Sequence, residues 1–425
     1  MIEGNGDERA WSVIKVDYDV GMADMSAREV AARLGVKLET VYAYVSRGVL
    51  TTRGETGSRR SVFDSDEVEV LARRGRPRRS TRPAALDLIV ETELTTVIDQ
   101  RLRYRDRDVC TLAETRSFEQ VADWLWRGSD ESDGATWESY PLVLPELASV
   151  RDRLRVAVVL ASEHEPFRSD LSVGNVVSTA RSLIASMVDA VPAPTRAEAV
   201  SPILGGQAIS ASIASCLWAR LSARAGTTRA GTTRAVAIMN ATLVLLADHE
   251  LATSTMAARI AASARSDVFS VVLAGMGPLA GPLHGSASGL VHQTLADAVS
   301  RGPQAAVATA VETHGRVPGF GHPFYPDGDP RAAFLLARLA EAFADAPEMH
   351  AANAVMGAVD LRSRVKPNID FALGLLTLLA RMPADAGETI FTIARTAGWV
   401  AHAIEEYKEP ALRFRARAIP RHLPG

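Results

Sequence analysis

The stretch GFGHPFYPDGDPRA, residues 319–332, gives the strongest indication of the fold. It places a histidine and an arginine in a loop rich in glycine and proline, where packing on a helix face does not explain them. A second such stretch, KPNIDFALG (366–374), holds an aspartate between apolar residues. Long segments with apolar residues at helical spacing surround these loops. The sequence therefore predicts a mainly α-helical protein whose polar loops form a site.

Three further stretches share this character, and all five lie in a fixed order along the chain. They are LADHELATST (246–255), GPLHGSASG (281–289) and IARTAGWVAH (393–402). Together the five resemble the patterns ADHE, GPLHGGAN, GFGH with DPRA, PNVDF and RTAGW of the citrate synthase family. The segment LIVETELTTVIDQRLRYRDRDVCTLAETRSFEQVADWLWRG (88–128) also resembles the family's opening segment. The resemblance thus extends over most of the chain.

The chemistry of such an enzyme can be placed on three residues. Removing a proton from the methyl group of a thioester needs a base and hydrogen-bond donors for the enolate oxygen. The resemblance implies Asp370 as the base, His284 as the donor to the thioester oxygen, and His322 as the group that polarises the ketone of oxaloacetate. Apolar neighbours would raise the basicity of Asp370. As alternatives, Asp370 could cap a helix, and Arg395 could pair with a surface acid.

The substrates carry carboxylates, which bidentate arginine forks bind better than lysine point charges. The resemblance implies that Arg331, Arg395 and Arg415 bind them, with Arg415 contributed by the partner subunit of a homodimer from the segment RFRARAIP (413–420). It also implies that His249 binds the keto acid and that Arg316 meets the phosphates of CoA. No cofactor beyond the acyl-CoA substrate is expected.

The match departs from the family at several positions. Ser286 and Ser288 replace residues of GPLHGGAN, and Pro323-Phe324 replaces an Arg-Val pair after GFGH. Pro326 stands where the family has a lysine, which weakens the expected CoA contacts. The repeat AGTTR, residues 225–234, precedes ADHE and is predicted to form a flexible loop.

The resemblance implies an all-helical, two-domain body of the citrate synthase fold, preceded by a small winged helix-turn-helix domain. The predicted boundaries are an acidic tail 1–25, a winged helix-turn-helix module 26–72, a basic linker 73–85, a large domain 86–284 with 367–425, and a small domain 285–366.

The N-terminal module is predicted from charge and capping signals. Residues 26–83 hold thirteen Lys and Arg against seven Asp and Glu, although the whole chain has a net charge of −3. Ser26 with Glu29 forms a capping box that opens a helix over 27–34. A second helix over 38–47 follows a Gly turn, and residues 49–63 are predicted to form a hairpin wing. A basic segment in an otherwise acidic chain suggests a partner of its own.

The stretches SAREVAARLGVKLETVYAYVSRGVL (26–50) and GSRRSVFDSDEV (57–68) resemble the MerR and excisionase group of DNA-binding modules. That resemblance implies DNA contacts at Thr40, Tyr44, Arg47, Arg59 and Arg60. The RGRP core of the linker resembles an AT-hook. Two alternatives stay open: a structural helix pair and a solvated basic linker.

Three hypotheses for the whole chain remain. The first is citrate synthase, or 2-methylcitrate synthase with propionyl-CoA; the second is a DNA-binding regulator whose body senses metabolites. The third, a metal site of histidines and aspartates, is disfavoured because no HxxxH or HExxH spacing occurs. Cys110 and Cys216 form no CxxC pair, and no apolar run is long enough to span a membrane. A cytoplasmic protein is expected.

Overall fold

The computed structural model describes ten segments of the chain, and statements about structure below refer to these. They are residues 24–34, 36–46, 50–53, 61–65, 67–68, 89–131, 133–193, 212–223, 229–281 and 287–415. The chain divides into two compact units, Met1–Val90 and Glu91–Gly425.

In its described residues, the first unit includes two short helices and a small antiparallel sheet. Its elements are β1 (Asp24–Ser26), α1 (Ala27–Leu34), α2 (Leu38–Ser46), β2 (Thr52–Arg53) and β3 (Val62–Asp64). β3 lies between β1 and β2. The predicted capping box is confirmed, because the Ser26 backbone N–H donates to Glu29 Oε2 at 2.7 Å and the Glu29 N–H donates to Ser26 Oγ at 3.4 Å.

Two observations bear on the predictions for this unit. Strand β1 begins at Asp24, inside the range 1–25 that was predicted as an acidic tail. Tyr44, predicted as a DNA contact, is only 9% exposed and packs in the core with Val41, whereas Tyr42 is 49% exposed. The reason is helical spacing, since positions three apart share the buried face of α2. Three other predicted DNA contacts and the linker lie outside the described residues: Arg47, Arg59, Arg60 and 73–85.

The second unit opens with a sheet that the helical prediction missed. Strands β4 (Thr95–Ile98), β5 (Arg101–Tyr104) and β6 (Arg107–Asp108) form an antiparallel sheet in sequence order. Side chains of β5 alternate between exposed and buried, as expected when one face of a sheet packs on a core. The hydroxyl of the buried Tyr104 faces inward, 2.9 Å from the Val244 carbonyl oxygen and 3.0 Å from that of Asp248.

The rest of the described second unit is helical, as predicted. Its helices are α3 (Val109–Thr115), α4 (Phe118–Arg127), α5 (Val150–Ser162), α6 (Val173–Ala190), α7 (Ile213–Leu221), α8 (Arg229–Leu246), α9 (Thr253–Ser263), α10 (Val268–Leu279), α11 (Ala287–Arg301), α12 (Pro303–His314), α13 (Pro330–Phe343), α14 (Pro347–Ser363), α15 (Ile369–Leu379) and α16 (Ala386–Glu406). α15 and α16 are buried along almost their whole length and form the centre of the core. Among the described residues, no helix is both long and apolar enough to span a membrane.

The AGTTR repeat is not a loop throughout. α8 begins at Arg229, so the second copy of the repeat forms the first turns of that helix. The helix continues into a buried apolar run that ends at Leu246. Burial of that run stabilises the whole helix, including its polar first turns.

Candidate active site

The loop of GFGH is fastened to the segment that precedes Asp370. The Gly321 backbone N–H donates to the Lys366 carbonyl oxygen at 2.8 Å, and the Asn368 N–H donates to the Gly319 carbonyl oxygen at 2.9 Å. The Asn368 side chain also donates, from Nδ2, to the Gly321 carbonyl oxygen at 2.9 Å. Two stretches far apart in the sequence therefore form one rigid unit at the start of α15.

Gly319 allows this close approach. Its φ is +80°, in the left-handed region, and a Cβ at this position would lie 2.6 Å from Val291 Cγ2 and 2.9 Å from Phe371 Cβ. Any side chain would therefore force the loop away from α11 and α15. The glycine of the motif is explained by packing as well as by backbone conformation.

Asp370 lies in the first turn of α15 and is not the helix cap. Asn368 is the cap, and its Oδ1 accepts the Asp370 backbone N–H at 3.0 Å. Burial raises the pKa of Asp370 to about 6, against the opposing positive charge of Arg331. A carboxylate of this pKa is ionised at neutral pH and still basic enough to accept a proton from carbon in a closed site.

His322 is half-buried and has a defined tautomer when neutral. Its Nδ1 accepts the backbone N–H of Phe324 at 3.2 Å, so the proton of the neutral ring is on Nε2. Burial, followed by the positive charge of Arg331, lowers the pKa of His322. The site thus presents a neutral imidazole N–H, a group suited to donate to a ketone oxygen and then to protonate an alkoxide.

His249 stands beside His322 and contacts Tyr325. The ring centres of the two histidines are 5.2 Å apart, edge to face, and His249 Nε2 lies 2.8 Å from the Tyr325 hydroxyl. Burial lowers the pKa of His249 well below its usual value, and neighbouring arginines act in the same direction. Tyr325 was not singled out from the sequence, although it lies inside the stretch 319–332.

Arg331 is held by Asp329 of the same DPRA motif. Asp329 Oδ1 accepts Arg331 Nε at 3.0 Å, and Oδ2 accepts Nη2 at 2.8 Å. The same Oδ2 accepts the Ile369 backbone N–H at 3.0 Å, which ties the pair to the start of α15. Burial opposes the charge of Arg331, but the contact with Asp329 outweighs it and raises the pKa of the guanidinium. Asp329 was likewise missed as a site residue, because its bond to the backbone of Ile369 joins segments that are far apart in the sequence.

Arg395 is a buried cation without an acidic partner. It is 1% exposed, its Nε donates to the Leu246 carbonyl oxygen at 2.9 Å, and its guanidinium lies 4.6 Å from the centre of the Phe391 ring. Among the described residues, no carboxylate lies within ion-pair distance of it, and burial lowers its pKa. The predicted alternative, pairing with a surface acid, is not what the described part of the chain forms. A buried unpaired charge is costly, so this position suits an anionic ligand.

Three predicted active-site residues remain, and each has a different position. Arg316 is exposed, and its positive charge lowers the pKa of Asp370, so it lies near the site. Arg415 is exposed and donates its backbone N–H to Arg413. His284 lies outside the described residues. The described part of the chain contains no group of three or more His, Cys, Asp or Glu suited to a metal ion.

Comparisons with known proteins give a consistent picture. The family model described as citrate synthase, C-terminal domain, matches residues 87–417. Two proteins of Corynebacterium glutamicum are similar: 2-methylcitrate synthase 2 is 30% identical over 73% of this chain and 86% of its own length. 2-Methylcitrate synthase 1 is 28% identical over 73% of this chain and 87% of its own. The crystal structure of citrate synthase from Thermotoga maritima MSB8 has a similar fold, with a TM-score of 0.62 at 23% identity, covering 80% of this chain and 95% of that one.

Proposed function

Because the chain belongs to the citrate synthase family, we propose that it condenses oxaloacetate with the α-carbon of a short acyl-CoA thioester and releases CoA. One observation supports the assignment of roles: the GFGH loop, which carries His322, is hydrogen-bonded to the segment that immediately precedes Asp370. A base with a pKa of about 6 and a neutral N–H donor are the two groups that the reaction needs.

The first step is enolisation. The Asp370 carboxylate removes a proton from the α-carbon of the thioester, and negative charge develops on the thioester oxygen. His284 donates a hydrogen bond to that oxygen in this proposal, which rests on the match of GPLHGSASG to the family pattern. Exclusion of water strengthens both interactions because the effective dielectric falls.

The second step forms the carbon–carbon bond. His322 donates Nε2–H to the ketone oxygen of oxaloacetate while the enolate carbon attacks the ketone carbon. The alkoxide then takes the proton from His322, and water hydrolyses the resulting thioester to a tricarboxylate and CoA. His249 binds the keto acid beside Tyr325, and its low pKa keeps it a neutral hydrogen-bonding group.

We assign the carboxylates of the substrate to Arg331 and Arg395, with Arg415 contributed by the partner subunit of a homodimer. The buried guanidinium of Arg395, which has no acidic partner among the described residues, supports this most directly. Arg331 acts chiefly as an oriented positive charge, because its Nε and Nη2 already donate to Asp329. Arg316, exposed near Asp370, is the proposed contact for CoA phosphate.

The acyl group is acetyl or propionyl. Similarity to two proteins named 2-methylcitrate synthase supports propionyl-CoA, the substrate that adds one methyl group. A methylene difference in an apolar pocket is worth about 1–3 kcal/mol. Thiol release should be measured with oxaloacetate and acetyl-, propionyl- and butyryl-CoA; the ratio of kcat/KM values decides between the two enzymes, and no oxaloacetate-dependent release with any of them would contradict the proposal.

We further propose that residues 285–366 form a small domain that closes over the keto acid, with 86–284 and 367–425 as the large domain. Helices α11, α12 and α14 pack on one another, and α11 also packs on α15 beside Asp370. Closure would exclude water from the enolate. Small-angle scattering should report compaction on adding oxaloacetate, and an unchanged profile at saturation would contradict closure. A cytoplasmic location is part of the proposal.

A second candidate function is DNA binding by the first unit, as a winged helix-turn-helix. Its support is the basic segment 26–83 together with two helices and an antiparallel strand pair in the predicted order. Thr40 with the exposed Tyr42 replaces the predicted pair Thr40 and Tyr44, and Arg47, Arg59 and Arg60 remain proposed contacts. In this view, the enzyme and a regulator that senses its substrates could be one protein.

A further inference from the structure

A chain of buried polar side chains lies behind the keto acid pocket, and the proposed steps do not use it. Asp248 immediately precedes His249 and is 1% exposed. Its Oδ2 lies 3.1 Å from Nε2 of His402, which is fully buried in α16, and it also accepts the Thr95 hydroxyl. The keto acid histidine is thus joined through one peptide unit to an aspartate–histidine pair.

The other ring nitrogen of His402 defines the direction of these hydrogen bonds. His402 Nδ1 lies 2.8 Å from Arg259 Nη1. A guanidinium can only donate, so Nδ1 accepts, and the neutral ring carries its proton on Nε2, directed at Asp248. Arg259 Nε donates to Glu406 at 3.1 Å and Nη1 also donates to Glu405, while Nη2 makes only an ion-pair contact with Glu406, at 3.0 Å. Arg259 and Glu406 are fully buried, so the Arg259 end of this series of polar side chains is held in place by the core.

His402 and Thr95 together hold Oδ2 of Asp248, and the Tyr104 hydroxyl contacts its backbone. Burial alone would raise the pKa of Asp248, but the contact with His402 and the charge of Arg395 outweigh it and hold the pKa below its usual value. Its other oxygen, Oδ1, is buried and has no hydrogen-bond partner among the described residues. Gly398 permits the close contact, since a Cβ there would lie 2.5 Å from Asp248 Oδ1. Loss of the His402 donor would therefore leave the Thr95 hydroxyl as the one remaining side-chain partner of the carboxylate among the described residues, and a carboxylate held by a single donor is less well oriented.

We propose that His402 is a positioning residue for keto acid binding: it orients Asp248, and through the peptide between Asp248 and His249 it holds the His249 ring in the pocket. The inference rests on the proposed function. It assigns a role to the last histidine of IARTAGWVAH, which the proposed steps do not use. Removing its Nε2–H donor should therefore weaken binding of oxaloacetate and leave the acyl-CoA site unaffected.

Two variants of similar size separate positioning from simple packing. His402→Gln places an amide N–H near the position of Nε2 and keeps the bond to Asp248. His402→Asn places a carbonyl oxygen near the position of Nδ1, so it keeps the acceptor for Arg259 but loses the hydrogen bond to Asp248. The Asn variant should raise the KM for oxaloacetate about 10–100-fold and the KM for acyl-CoA less than about twofold, while the Gln variant stays within about threefold for both. Equal KM values for oxaloacetate in the two variants, at equal melting temperature, would overturn the proposal.

A second measurement does not depend on turnover. The ¹⁵N-histidine NMR spectrum of the full-length, ligand-free protein should show His402 as the Nε2–H tautomer, assigned by its absence from the Gln variant. An Nδ1–H tautomer or a doubly protonated ring would overturn the proposal. If the wild-type protein neither binds nor converts oxaloacetate, the proposed function fails, and the spectrum still tests the aspartate–histidine pair separately.

Discussion

The Gly319 carbonyl oxygen accepts the Asn368 backbone N–H at 2.9 Å. Gly319 is the first glycine of GFGH and Asn368 is the cap of α15, and 48 residues lie between them in the sequence. This bond and its neighbours place the loop of His322 against the first turn that carries Asp370. Backbone contacts therefore tie the loop that carries His322 to the segment that precedes Asp370. Side-chain packing around Gly319 maintains those contacts.

Replacement of Gly319 by alanine tests this contact. A Cβ would clash with Val291 and Phe371 and sit at a φ of +80°, so Gly319→Ala should lower stability by about 2–4 kcal/mol and reduce kcat by about tenfold or more. Gly321→Ala is the matched control, because its φ is also +80° but no atom lies within 4 Å of the added Cβ. Its cost should be about 1 kcal/mol. If Gly319→Ala and Gly321→Ala lost equal amounts of stability, measured by thermal denaturation, and of kcat, backbone strain would explain both results and the contact with Val291 and Phe371 would not.

Asp370→Asn should change the pH dependence of stability. The folded pKa of Asp370, about 6, lies above the value of about 3.9 for an unfolded chain. The stability that the neutral carboxyl contributes is therefore lost as the pH rises through about 6. An amide does not ionise. The free energy of unfolding of the variant, relative to that of the wild type, should therefore increase by about 1 kcal/mol between pH 5 and pH 8. A stability difference that is the same at both pH values in denaturant titrations would contradict the raised pKa.

Arg395→Lys should weaken binding of the keto acid. Lysine keeps a positive charge but loses the planar guanidinium and the Nε–H that donates to the Leu246 carbonyl oxygen, so the KM for oxaloacetate should rise about 10–100-fold and the melting temperature should fall. Arg362→Lys, at an exposed position on α14, serves as the control and should match the wild type. An unchanged KM for oxaloacetate in the Arg395 variant would remove this residue from the substrate site.

DNA binding by the first unit should depend steeply on salt. If about six phosphates are contacted, affinity should fall roughly 1,000-fold between about 50 and 200 mM salt. Deletion of residues 1–83 should abolish retention on genomic fragments and preserve the condensation, because the proposed catalytic residues all follow Leu246. Equal retention of full-length and truncated protein, or none at low salt, would contradict DNA binding and favour a protein-contact role for the module.

Local signals in the sequence predicted local structure well. The Ser26–Glu29 capping box forms as expected, because both partners lie within one helical turn. The phase of α2 was predicted less well, since Tyr42 and Tyr44 are equally apolar and only packing on Val41 and Phe63 selects which is buried. The sheet at 95–108 was missed for a related reason: its buried face depends on a helical core that is distant in sequence.

The candidate site was found through the resemblance of its motifs, and its geometry was not predictable from them. Asp370 and His322 could be named individually, but the hydrogen bonds that join their loops are long-range. Tyr325 and Asp329 were missed because each acquires a role through one such contact, with His249 and with the start of α15. The pairing of His402 with Asp248 is of the same kind, since α16 and the ADHE segment meet only in the folded chain.

The most direct test of the central claim is to follow the carbon–carbon bond. Oxaloacetate and acyl-CoA labelled with ¹³C at the α-carbon should be incubated with the wild-type protein and with Asp370→Asn, and the product observed by NMR. The wild type should transfer the label into a tricarboxylate as CoA is released, and the variant should do so about 100–10,000-fold more slowly. Labelled free acetate or propionate in place of a tricarboxylate, or a variant that keeps more than about a tenth of the rate, would contradict condensation with Asp370 as the base.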